Sequence, residues 1–340
     1  MEYIDSIINL AKKDVKTIVL PEAEDIRILQ ATEEILKLHF ANIILLGNAS
    51  EINKNAEKNN INIEGVTIIN PSESDKLEEY SQKLYELRKA KGMELEGARK
   101  ILTENTRYFA TMMVKMDDAD GLVSGACNPT SDTLRPVLQI IKGAPGLKTV
   151  SSCFVMVLPD KEFGEDGVFI FSDCGMNPNP DSEQLSEIAI TSANSFKELV
   201  NPEGEARVAM LSYSTMGSAD SELIDKVREA TKLAQEKAPE ISIDGEMQLD
   251  AAIIKEVAEA KAPNSKVAGK ANVLVFPDLN AGNIGYKLTQ RFGKAKAYGP
   301  LCQGLDKPAN DLSRGCSAQD IVGVVALTCV QAQNNKKERI

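Results

Sequence analysis

Five residues able to do chemistry fall within eight positions of "DLSRGCSAQDIV": Ser313, Arg314, Cys316, Ser317 and Asp320. A serine or cysteine nucleophile would need a base to take its proton, most often histidine. The chain has a single histidine, His39, in "EILKLHFAN" at the end of a helical pattern. That setting reads as structural, so acid–base work falls to Asp, Glu, Lys, Tyr or Cys. Ser317 and Asp320 fit the [ST]-x-x-[DE] capping signature, with Gly315 permitting the turn ahead of an apolar helix. The cap leaves Ser313 and Arg314 unexplained. A cation at the positive end of a helix is unfavourable unless an anion sits nearby. Arg135, in "TSDTLRPVLQ", also occupies early turns of a helix. Arg88, in "YELRKAKG", fits a solvated helix face better than a site on spacing alone. Arginine matches phosphate oxygens bidentately, so these positions suggest a phosphate-bearing ligand.

The elements that must position these residues alternate along the chain. "KTIVLPE", "ANIILLGN", "VTIINPS", "DGLVSGA", "KTVSSCFVMVLP", "GVFIFSDCG", "EARVAMLSYST" and "ANVLVFPDL" are short apolar runs that read as strands. Helical patterns separate them: one through Ile26, Leu29, Ile35 and Leu38, a charged one over about 74–91 broken at Gly92, and "DSEQLSEIAITSANSFKEL", starting at Ser182. This rhythm predicts βαβ units with largely parallel sheets. Gly and Pro clustered in "KGAPGLK" (142–148) mark a candidate domain boundary. In parallel α/β sheets ligands gather at the carboxyl ends of strands, where helix N-termini favour anions. Loops of that kind are "SGACNPTSDTLRP", "FPDLNAGNIGYK", "YGPLCQG" and the 308–322 segment.

Composition narrows the function. At 340 residues, roughly two domains are expected, and 43% hydrophobic residues supply their cores. A net charge of -11, with lysines scattered among acids, argues against nucleic acid as a partner. Cys127, Cys153, Cys174, Cys302, Cys316 and Cys329 include no C-x-x-C pair, so no metal site is expected. "MEYIDSIINLAKKDVKT" lacks the pattern of a secretory signal, and no apolar run would span a bilayer. Free thiols then point to the cytoplasm. The P-loop, dinucleotide and nucleophile-elbow motifs are absent.

Taken together and in order, "VLPEAEDIR", "SDTLRPVLQIIKGAPG", "NPNPDSEQLSEIAI", "DGEMQLDAAI", "FPDLNAGNIGYKL", "YGPLCQGL" and "KPANDLSRGCSAQDIV" resemble the phosphate acetyltransferases, over essentially the whole chain. The resemblance implies an α/β fold of two αβα domains with a cleft between them, similar to isocitrate and isopropylmalate dehydrogenases. Domain I would comprise 1–146 plus 298–340, with domain II, 147–297, inserted. A homodimer is implied, as is the reaction acetyl-CoA plus phosphate in equilibrium with acetyl phosphate plus CoA. Coenzyme A would be a substrate; no permanently bound cofactor is implied. Transfer would be direct, in a ternary complex. Asp320 would take the thiol proton, Arg314 would hold the phosphate and the carbonyl oxygen, and Ser313 would hydrogen-bond at the reacting centre. Arg88 and Arg135 would bind CoA or acetyl phosphate. Thr130, Thr133, Tyr298, Gly299, Pro300 and Asn310 complete the expected binding set. Where the family commonly reads His-Ser, this chain has Asn128-Pro129. A phosphate butyryltransferase, a metal-dependent decarboxylating dehydrogenase and a catalytically dead binding module are the rival readings.

Overall fold

The computed structural model describes residues 2–335. It divides into two compact units, Met1–Ala144 with Leu305–Ile340, and Pro145–Gly304.

The first unit is built on a five-stranded sheet of order β11-β4-β1-β2-β3, comprising β1 (Lys16–Leu20), β2 (Ala41–Leu46), β3 (Thr67–Ile69), β4 (Gly121–Ser124) and β11 (Ala309–Asp311). Every pairing is parallel. All strand ends that could carry a site therefore lie on one edge. Its helices are α1 (Tyr3–Ala11), α2 (Ile26–Leu38), α3 (Ala49–Lys58), α4 (Leu77–Arg88), α5 (Leu95–Glu104), α6 (Thr106–Lys115), α7 (Thr130–Ile140) and α13 (Ala318–Asn335). Ile321 through Ala332 of α13 are buried all round, because the helix lies against β1 and β4 and is flanked by α1 and α2. A Cβ on Gly121 would come within 2.7 Å of Thr328 Cγ2, so glycine is what lets α13 approach β4. The charged helix expected over 74–91 is shorter. It spans Leu77–Arg88, then tightens into a 3-10 turn, Lys89–Lys91, and stops at Gly92 with φ +84°.

The second unit carries a mixed six-stranded sheet of order β10-β5-β6-β9-β7-β8. Its strands are β5 (Ser151–Val157), β6 (Val168–Ser172), β7 (Arg207–Leu211), β8 (Ser242–Met247), β9 (Val273–Val275) and β10 (Lys296–Gln303). Strands β6, β9, β7 and β8 are parallel, whereas β5 runs antiparallel to both β6 and β10. The short turn between β5 and β6 permits only the antiparallel pairing. Its helices are α8 (Ser182–Leu199), α9 (Glu222–Lys237), α10 (Leu249–Ile253), α11 (Lys255–Lys261) and α12 (Leu279–Arg291). The helix α8 starts at Ser182, as expected, and its cap is Asp181, which accepts from Gln184 N. Gln303 anchors β10 to this unit: its Oε1 accepts from Ser151 and Ser172, and its Nε2 donates to Ser195 at 2.7 Å. The changeover between units thus follows Gly304, later than position 298 of the sequence-based boundary.

Candidate active site

Thr130, Thr133, Ser313, Arg314 and Asp320 lie on the loops and helix starts that follow β4 and β11 at the carboxyl edge of the first unit's sheet. Leu20 of β1 leads to Glu22, Ser124 of β4 to Gly125 and α7, and Asp311 of β11 to Ser313 and α13.

The turn after β11 folds as the capping signature predicts. Asp320 Oδ2 accepts from Ser317 N (2.8 Å) and Ser317 Oγ (2.9 Å), while Asp320 N donates back to Ser317 Oγ (3.2 Å). The other carboxylate oxygen, Oδ1, has no hydrogen-bond partner among the described residues. Ser313, Arg314 and Gly315 are exposed, and the Arg314 guanidinium makes no hydrogen bond or ion pair among the described residues. Burial pushes the Cys316 thiol up to about 11, outweighing the Arg27 charge that opposes it. A thiol so protonated at neutral pH is no nucleophile. His39 caps α2 in the left-handed conformation, φ 54°, at the amino end of β2 and so on the opposite edge of the sheet.

Two residues that sequence reasoning passed over hold these loops together. Glu22, 1% exposed, accepts from Gly125 N (2.7 Å), Ala126 N (2.9 Å) and Asn128 Nδ2 (2.5 Å). The Asn128 amide therefore serves to fasten the loop. Arg27 Nη1 donates to the carbonyls of Arg314 (2.8 Å) and Cys316 (2.9 Å), and Nη2 donates to Ala126 O (2.6 Å) and to Asp25. One guanidinium thus joins the loops after β4 and β11. Arg27, in the first turn of α2, carries the kind of signal that singled out Arg135, a cation early in a helix, and it closes the quoted segment "VLPEAEDIR".

Thr130 and Thr133 sit in the first turns of α7. Thr130 Oγ1 donates to Asp311 Oδ2 at 2.7 Å; Thr133 Oγ1 is buried without a partner. Arg135 is exposed and pairs with Asp132 at 3.7 Å. Arg88 closes α4 half-buried, and its Nε is buried with no partner. Arg107, at the start of α6, has the same buried, unpartnered Nε and was not among the expected residues. Asn310 points elsewhere: its Nδ2 donates to Thr328 Oγ1 (2.8 Å) and Gln331 Oε1 (2.7 Å), docking α13 on β11.

Tyr298, Gly299 and Pro300 belong to the second unit, within β10, where the register against β5 shifts between Tyr298 and Leu301. A Cβ on Gly299, φ +148°, would meet Cys153 O at 2.8 Å, so only glycine fits there. Among the described residues, no cluster of three or more His, Cys, Asp or Glu could hold a metal ion. No described helix is long and apolar enough to cross a membrane.

A sequence model of the phosphate acetyl/butaryl transferase family matches residues 2–329. The chain belongs to this family. It is similar to the phosphate acetyltransferase of Acetivibrio thermocellus, at 58% identity over 98% of this chain and 99% of that one. Among solved structures, a phosphotransacetylase from Streptococcus pyogenes superposes with a TM-score of 0.90 at 41% identity, covering 98% of this chain and 100% of the other. The 4-hydroxythreonine-4-phosphate dehydrogenase of Klebsiella pneumoniae shares the fold alone, with a TM-score of 0.53 at 12% identity, over 94% of this chain and 100% of that one.

Proposed function

We propose that this chain is a phosphate acetyltransferase that interconverts acetyl-CoA plus phosphate with acetyl phosphate plus CoA by direct transfer in a ternary complex. One observation carries the reading: Arg314 and Asp320 flank a single exposed turn, each with hydrogen-bonding capacity left over. In the acetyl-CoA-forming direction the thiol passes its proton to Asp320 as sulfur attacks the acetyl carbon. The C–S bond forms, the C–O bond to phosphate breaks, and phosphate leaves with the electron pair. A free thiol near pKa 8.5 is mostly protonated at neutral pH, which is why a carboxylate within reach matters. Arg314 steadies the charge that develops on the carbonyl oxygen, and Ser313 hydrogen-bonds beside it. Arg88, Arg135, Thr130, Thr133 and the Tyr298–Gly299–Pro300 segment bind the substrates. Asn310, committed to α13, supports the strand from behind.

The reading brings with it a two-domain subunit with the second domain inserted in the first, working as a homodimer in the cytoplasm. Division into two units supports the first point, and six free cysteines support the last. Acetyl-CoA formation from acetyl phosphate and CoA tests the function. A chain that forms none overturns it, and a clear preference for butyryl phosphate would move the chain to the butyryltransferases.

A further inference from the structure

Three buried oxygens on three converging segments have no hydrogen-bond partner among the described residues: Ser124 Oγ at the end of β4, Thr133 Oγ1 in α7 and Asp311 Oδ1 at the end of β11. All three residues are at most 1% exposed. Asp311 stands opposite Ser124 in the β4–β11 register. Next to Ser124, Gly125 has φ +117°, and a Cβ there would fall 2.2 Å from Asp311 Oδ1, so the loop backbone runs directly against the carboxyl. The second oxygen, Oδ2, accepts from Thr130 Oγ1 at 2.7 Å, a bond between residues 181 apart in sequence. Thr130 is the first residue of α7, and Ser313 follows Asp311 by two positions. A buried polar group is costly to leave unpaired, so an arrangement with three of them at one strand end needs a reason.

We propose that Asp311 is a positioning residue of the acetyl-transfer site, fixing the start of α7 through Thr130 against the strand end that delivers Ser313 and Arg314. The inference rests on the functional reading above. Helix starts bind anions through backbone N–H groups whose direction is set by the first turn. A hydroxyl tied to a fixed carboxyl sets that direction for α7. Burial pushes the Asp311 carboxyl up to about 7, against the Thr130 bond and the nearby Leu312 N–H and Thr133 hydroxyl, with Glu22 raising it further. The Thr133 hydroxyl is near enough to act on the charge but makes no aligned hydrogen bond. Glu22, from the loop after β1, is the charged group that bears on Asp311; Ser124 of β4 and Thr130 and Thr133 of α7 carry no charge. Ionised Asp311 would place negative charge beside the anion-binding helix start.

Steady-state kinetics of the full chain with acetyl phosphate and CoA test this. Thr130→Val and Asp311→Ala should each raise KM for acetyl phosphate about tenfold, with KM for CoA within about twofold of wild type. That tenfold corresponds to ~1.4 kcal/mol, the order of a single net hydrogen bond. Asp311→Asn keeps an acceptor for Thr130 and should recover most of the loss. In wild type, KM for acetyl phosphate should climb as pH rises through about 7, and Asp311→Asn should lack that climb. Should Asp311→Ala fail to fold, Thr130→Val reads the same contact. Unchanged KM in Thr130→Val, equal shifts for both substrates, or Asp311→Asn no better than Asp311→Ala overturns the inference while wild type remains active. A wild-type chain that makes no acetyl-CoA overturns the functional reading and this inference with it.

Discussion

In the second unit, Asp173 and Glu246 are buried at strand ends with their acceptor sites used. Asp173 takes Ser152 Oγ, Gly175 N and Met176 N on Oδ1, and the Asn177 backbone and side-chain amides on Oδ2. Glu246 takes Ser214 Oγ and Gly217 N on one oxygen and Arg228 Nε on the other. Burial works against its charge, yet Arg228, Gly217 and Ser214 together hold it below the usual carboxylate range. The first unit behaves differently. Every buried side-chain oxygen or nitrogen without a partner among the described residues belongs to it: Arg88, Arg107, Ser124, Thr133 and Asp311. A fold that satisfies its polar groups in one half can satisfy them in the other. The open groups of the first unit lie among or beside the residues proposed for the site, whereas the satisfied carboxylates of the second hold loops in shape.

That contrast can be broken or sharpened by substitution. The largest expected effect is Arg314→Ala, which should cut kcat by about 100- to 1000-fold, roughly 2.7–4 kcal/mol for one oxyanion contact. Its thermal midpoint should match wild type; near-normal turnover would remove Arg314 from the chemistry. Arg228→Met in the second unit should do the reverse. It strips the buried Glu246 carboxylate of its cation, which lowers stability. The denaturant midpoint should fall clearly below wild type, and kcat per folded molecule should stay unchanged. A kinetic defect as large as that of Arg314→Ala would erase the division between the units.

Arg88→Ala should be smaller, about tenfold in KM for one substrate, with unchanged or higher stability because an unpaired buried Nε is removed. A drop in stability would reclassify Arg88 as structural. Asp311→Asn has a pH-dependent signature. The folded carboxyl titrates near 7, above the unfolded value near 4, so its contribution to stability is full below about pH 4 and declines towards pH 7. The asparagine variant lacks the decline. Each pH unit between the folded and unfolded titrations is worth ~1.4 kcal/mol. Melting temperatures at pH 5 and pH 8 should therefore favour the variant increasingly at pH 8, and an equal difference at both would refute the raised titration. Smallest of all, Cys316→Ala should leave turnover within about twofold, since the thiol titrates near 11.

Sequence reading reached the elements and the Ser317–Asp320 cap because both are local: apolar period, turn residues and a three-residue spacing suffice. It singled out Arg314 and Arg135 through a local conflict, a cation near a helix start. What it missed depends on distance along the chain. Glu22 matters because it meets Gly125, 103 residues on, and Asp311 because it meets Thr130, 181 residues back. No window of sequence shows that a carboxyl is buried or that a hydroxyl lacks a partner. Arg107 is a cation at a helix start too, yet only its buried Nε separates it from an ordinary surface arginine. Asn310 illustrates the opposite failure: its place within the motif suggested a ligand contact, and its amide spends itself on Thr328 and Gln331.

The grip of Arg27 on the carbonyls of Ala126, Arg314 and Cys316 has a consequence for the timescale on which this edge breathes. Either loop must give up a bond to this one guanidinium before it can peel away, so their openings are coupled. Amide exchange in both segments should then speed up together when Arg27 is replaced by Met.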